Sequence, residues 1–135
     1  MKTDNIYSEI TDGITVLVQP VYLKDQSEPD EHHFVWAYHI RIENNGPEPV
    51  QLLSRYWHIT DLSGKVHEVR GDGVVGDQPA LNPGEHYEYT SGVPLETPSG
   101  FMHGTYTMIN KAGLQFDITI PAFSLDSPHH AGAIH

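Results

Sequence analysis

The segment Arg70-Gly71-Asp72-Gly73-Val74-Val75-Gly76-Asp77-Gln78-Pro79 carries a G-x-G-x-x-G spacing. In a dinucleotide-binding fold that spacing lets backbone N–H groups and a following helix N-terminus hold a pyrophosphate. The chemistry requires a strand before the glycines and a helix after them. Pro79 and Pro83 follow within seven residues of Gly76 and forbid that helix. Asp72 and Asp77 would also repel a phosphate at close range. A Rossmann site is rejected. Two readings remain for Gly71, Asp72, Gly73, Val74, Val75, Gly76, Asp77 and Gln78. In one, the glycines let a loop turn sharply through positive φ. In the other, the loop is a recognition surface that presents its Val74-Val75 step to a partner. On the second reading, changing Val74 and Val75 together to Asp spares folding and abolishes partner capture.

Ten histidines and no cysteine turn attention from thiol chemistry to metal ligation. If Asp61-Leu62-Ser63-Gly64 closes a tight hairpin, His58 and His67 stand directly opposite each other, about 5 Å apart at Cβ. That pair would suit a divalent ion, and a one-residue slip would abolish it. The alternative is a pair of exposed strand histidines. His32-His33 closes an acidic loop beside Asp30 and Glu31, while His129-His130 and His135 lie in a small-residue tail. Arg55 is the polar exception among Leu53, Trp57 and Ile59. It reads either as a structural pair with an acid near Glu68 or Asp72, or as an anchor for an anion or partner beside the glycine loop. Catalytic machinery is missing: no G-x-S-x-G elbow occurs, and Ser91-Gly92 has no nucleophile context. The chain reads as a non-enzyme.

The elements that position these residues have a period of two. Phe34, Trp36, Tyr38, Ile40 and Ile42 alternate with more polar neighbours, as do Leu114, Phe116, Ile118 and Ile120. Further strands are predicted over Ile14–Tyr22, Val50–Leu62, Lys65–Arg70, His86–Ser91 and Met102–Ile109. Ten prolines and twelve glycines punctuate the chain as turns. Seven or eight short strands with regular turns describe an antiparallel β-sandwich of the immunoglobulin or fibronectin type III kind. Leu81-Asn82-Pro83-Gly84-Glu85-His86-Tyr87 resembles the corner of fibronectin type III domains, a turn feeding a strand whose tyrosine hydroxyl reaches back to the backbone; the alternative is a plain turn and a core tyrosine. A chain of 135 residues supports one such core. Its net charge of −11 excludes binding to a nucleic-acid backbone or an anionic membrane surface. The charge is uneven: residues 1–31 set seven acids against Lys2 and Lys24, and residues 61–90 set six against Lys65 and Arg70. The amino-terminal residues lack the apolar run of a signal peptide, so a cytoplasmic location is expected.

Val50-Gln51-Leu52-Leu53-Ser54-Arg55-Tyr56-Trp57 and Glu68 to Pro79 resemble the ApaG family. So do Pro83-Gly84-Glu85, Tyr87 to Gly92, Glu96 to Met102, Phe116 to Phe123 and Ile134-His135, a similarity spanning about residues 13–135. The resemblance implies a fibronectin-III-like sandwich in a bacterial cytoplasmic protein associated with cobalt and magnesium efflux and a diadenosine tetraphosphatase locus. Related domains in an F-box protein and a polymerase-delta-interacting protein imply a protein-interaction module. No catalytic set or cofactor comes with the family. A pyrophosphate role proposed for its glycine motif maps onto Gly71, Gly73 and Gly76. The organisation expected is an extension over 1–12, the sandwich over 13–125 and a flexible tail over 126–135. An unidentified protein is the expected partner. A divalent cation or nucleotide phosphate at the glycine loop is the alternative, and a homo-oligomer through a sheet edge is a further one.

Overall fold

Phe34, Trp36, Tyr38, Ile40 and Ile42 all point from one face of an eleven-residue strand, and all are buried. The same alternation organises the computed structural model, which describes residues 5–129. Nine strands follow in order: β1 Tyr7–Thr11, β2 Ile14–Tyr22, β3 Phe34–Asn44, β4 Val50–Asp61, β5 Val66–Asp72, β6 Ala80–Leu81, β7 His86–Leu95, β8 Gly100–Asn110 and β9 Gln115–Leu125. One sheet has the order β1-β2-β3-β7. The other runs β5-β4-β8-β9, with β6 pairing to the beginning of β4. Every pairing is antiparallel. The sheets enclose a core that includes Val16, Ile40, Trp36, Trp57, Met102, Tyr106, Ile118 and Phe123. The fold class expected from the sequence is the one observed.

Two strands escape the period-two reading. β1 is exposed along its middle and pairs only with β2, so it carries no apolar alternation. It lies within the segment set apart as an extension. β6 has two residues. At the other end, Asp126 accepts a hydrogen bond from Trp36 Nε1 at 2.8 Å, and the Ser127 hydroxyl donates to the Pro98 carbonyl at 2.6 Å. The His129 ring lies against Tyr22 and Phe34. The start of the expected flexible tail is therefore held to the sandwich. His130 and His135 lie outside the described residues.

A buried pair of hydroxyls bridges the two sheets. The hydroxyls of Tyr89 on β7 and Tyr106 on β8 meet at 2.5 Å, and burial pushes both phenols up from their ordinary range. Tyr106→Phe would leave the Tyr89 hydroxyl buried without a partner, a loss of about 1–3 kcal/mol. Removing both hydroxyls removes that penalty. The double variant is expected to be no less stable than the single one in urea unfolding. Strictly additive losses would contradict this account.

Candidate functional site at the glycine turn

β4 has an irregularity that makes the site. Its register with β8 shifts between Leu52 and Ser54, placing an extra residue, Leu53, in a bulge. Before the bulge β4 pairs with β6, and after it with β5. The Leu53 carbonyl is thereby free to accept the Gly73 N–H at 2.8 Å and the Gln78 side-chain amide at 2.9 Å. Gln51 donates in turn to the Gln78 carbonyl at 3.0 Å. The chain leaving β5 is tied to the middle of β4 by these bonds.

Between them Val74 and Asp77 exchange two backbone hydrogen bonds, at 2.8 and 2.9 Å. Val75 and Gly76 are the two central residues of this tight turn, with φ of +42° and +87°. Positive φ at both positions is the hallmark of a type I′ turn, where Asn-Gly is favoured. A β-branched residue there is a backbone outlier. Val74, by contrast, is 0 % exposed and belongs to the core, while Val75 is 58 % exposed. The Val74-Val75 step is therefore not presented as a pair. One valine anchors and the other is displayed. The expectation that both can be changed to Asp without harm to folding is corrected on this ground, because Val74→Asp places a carboxylate in the core.

Each glycine of the motif has a local reason. A Cβ on Gly73 would lie 2.3 Å from the Asp77 carbonyl oxygen, and its φ is +63°. Gly76 supplies the second positive φ of the turn. Gly71 makes room for Arg55, whose guanidinium atoms would lie 2.8–2.9 Å from a Cβ there. The N–H groups of Gly73, Val74 and Asp77 are already committed to carbonyls. They do not converge on an empty cradle, and the exposed Asp72 and Asp77 side chains flank the turn.

Arg55 is half-buried and takes carbonyls where an acid was expected. Its Nη1 donates to Gly73 at 2.8 Å and Asp72 at 3.1 Å, so the expected pairing with an acidic side chain is corrected. Glu68 instead accepts from the Tyr56 hydroxyl at 2.6 Å, and Arg70 lies over the Tyr56 ring.

Tyr87 also differs from expectation. Its hydroxyl donates to Asp77 Oδ2 at 2.7 Å, on the glycine turn, and not to the backbone. That bond and partial burial push its phenol up to about 12. A phenol raised on folding contributes stability that is complete below its unfolded value of 10.0 and is lost as pH rises from there towards about 12. Spectrophotometric titration should show one tyrosine moving down towards pH 10 in Asp77→Asn. An unchanged profile would contradict the contact.

The histidine reading needs a correction of register. Asp61 N–H bonds the Lys65 carbonyl at 3.0 Å, and Gly64 sits at φ +90°. Asp61 Oδ1 accepts from Ser63 N, Ser63 Oγ and Lys65 N. The loop therefore has three residues, Leu62-Ser63-Gly64, closed by a left-handed glycine. His58 then pairs with Glu68, and Ile59 with His67. His58 stacks on His103 of β8 instead, with ring centroids 4.7 Å apart. His67 is exposed and lies on the opposite face, paired with Ile59. Among the described residues no three His, Asp or Glu side chains gather closely enough to hold a metal ion. No helix among them is long and apolar enough to cross a membrane.

The signals missed were local. The Asp-x-x-Gly-Lys run marks a three-residue loop, and Val-Gly where hairpins favour Asn-Gly marks the strained turn. The bulge at Leu53 has no marker in the sequence.

Comparison with known proteins places the whole arrangement. The model of the ApaG domain matches residues 24–110. Protein ApaG of Parvibaculum lavamentivorans is 60% identical over 130 residues, covering 96% of this chain and 100% of that protein. Protein ApaG of Rhodospirillum centenum is 62% identical over 124 residues, covering 92% and 95%. A Bordetella pertussis crystal structure designated ApaA superposes with a TM-score of 0.83 at 50% identity, covering 86% of this chain and 94% of that one. A domain match over most of the sandwich, near-full-length relatives and a solved structure of the same shape lead to one assignment: this chain belongs to the ApaG family.

Proposed function

We propose that the chain is a non-enzymatic protein-binding module of the cytoplasm whose recognition element is the turn Val74–Asp77. The observation that supports it is Val75, an apolar residue held outward at a φ that a β-branched side chain resists. Such strain costs about 1–3 kcal/mol and persists where the surrounding structure over-determines it, typically at binding and switch positions. Here the over-determination is visible. Val74 is locked in the core, Gly73 and Gln78 are tied to Leu53, and Asp77 is held by Tyr87.

On this reading the cobalt and magnesium efflux associated with the family runs through the bound protein, and the chain carries no cofactor. The alternative of a phosphate in the turn fares worse, because the N–H groups of Gly73, Val74 and Asp77 are committed and two carboxylates flank the turn. A cation shared by His58 and His67 fares worse too, since the two lie on opposite faces of their sheet.

The test is affinity purification from native cytoplasm with the wild-type chain, Val75→Asp and Leu114→Asp. Leu114 is 65 % exposed in the turn before β9 and serves as a surface control. A protein retained by wild type and Leu114→Asp, and lost from Val75→Asp, is expected. Equal retention by all three sinks the proposal.

A further inference from the structure

The flank of the sandwich between β5 and β7 is open. Each is an edge strand of a different sheet, and among the described residues no strand pairs with the outer edge of either. A cleft of about 570 Å³ runs along this flank, floored by Tyr38, Trp57 and Ile59 and walled by Val69 and Val93. That volume lies within the range of pockets that hold small ligands, roughly 300–1,000 Å³. Trp57 and Tyr38 meet edge to face, with centroids 5.3 Å apart, so the floor is aromatic and fixed.

Arg55 stands at one end of this floor, two residues along β4 from Trp57 and opposite Gly71. Its two hydrogen bonds both use Nη1. Among the described residues it forms no ion pair, although the chain contains eighteen acids. Nε and Nη2 have no protein acceptor there. Together they form the side edge of a guanidinium, the fork that grips a carboxylate with two parallel bonds. The face of the same group lies against Gly71, where any side chain would displace it. Glu96, an acid of the cleft, follows Leu95 at the end of β7 away from Ser91. An aromatic floor, one oriented cation and a chain of net charge −11 favour an anion of a single charge with an apolar body. A phosphate monoester carries more charge than one guanidinium offsets.

We propose that this cleft binds a small apolar monocarboxylate, gripped side-on by Arg55 Nε and Nη2 with its body over Tyr38 and Trp57. The site adjoins the glycine turn, whose Asp72 and Gly73 carbonyls hold Arg55, but it does not rest on the protein-binding reading.

Calorimetry and tryptophan fluorescence on the full chain test it, with 3-phenylpropionate and 2-naphthylacetate as probes. Their carboxamides test the charge, and the tripeptide Ala-Ala-Phe tests a peptide carboxyl terminus as an alternative ligand. Expected are saturable binding of at least one acid by about millimolar concentration, and a loss of about tenfold or more in the amides. Arg55→Met and Gly71→Ala should each weaken the acid by about tenfold, while the surface control Leu114→Asp leaves it unchanged. Gly71→Ala retains the charge and moves it, and the acid-against-amide comparison needs no variant to fold. The proposal is overturned if no acid binds, if acid and amide bind alike, or if a folded Arg55→Met binds as wild type does. Tighter binding of Ala-Ala-Phe than of either aryl acid would replace the small ligand by a peptide end and overturn it as well.

Discussion

Val74→Asp is expected to unfold the protein, whereas Val75→Asp, one residue along, leaves it folded. Val74 has no exposed surface and packs in the core between the sheets, so an Asp there meets neither water nor a cation partner. The loss is about 4 kcal/mol or more, at the far end of single-substitution effects. Total stability of a domain of this size is roughly 5–15 kcal/mol, so little or none would remain. Val75 faces solvent, and Asp tolerates positive φ better than Val does. Urea unfolding followed by far-UV circular dichroism checks both. A Val74→Asp midpoint close to wild type would mean that the turn does not anchor in the core.

Gly73→Val is the second large effect. Two faults add at one position: φ is +63°, and the new Cβ would sit 2.3 Å from a backbone oxygen that cannot swing aside. The variant should lose about 3 kcal/mol or more. It should also release the Gly73 N–H from Leu53, so the damage reaches β4. The sign matters for interpretation. Binding lost in Gly73→Val together with stability reports a broken turn, not a phosphate cradle. Wild-type stability with selective loss of a nucleotide would favour the cradle instead.

The sandwich was legible because its central strands are buried on one face and leave the period of two in the residue types. The predicted Ile14–Tyr22 agrees with β2 to the residue, and Val50–Leu62 agrees with β4 to within one. β1 was illegible because an edge strand exposed along its middle needs no apolar alternation. The glycine segment was singled out, but its geometry was not legible. Adjacent valines in a loop look equivalent as letters, and only the two hydrogen bonds between Val74 and Asp77 send one inward and the other out. The His58–His67 pairing failed by one residue of loop length, and the period of two converted that into opposite faces. Arg55 stood out as a polar exception on its strand, yet its carbonyl partners depend on a bulge that no residue type announces.

Strain held for the sake of recognition makes stability and binding move in opposite directions. Val75→Asn relieves the strain, since Asn is favoured at the first position of this turn and the Gly76 that follows is already in place. The most direct measurement is therefore the unfolding free energy and the partner capture of Val75→Asn, taken on the same preparation. A gain of about 1 kcal/mol in stability with loss of the captured protein is the predicted result. A gain in stability with capture undiminished, or no gain at all, would contradict the claim that this turn is strained in order to display Val75.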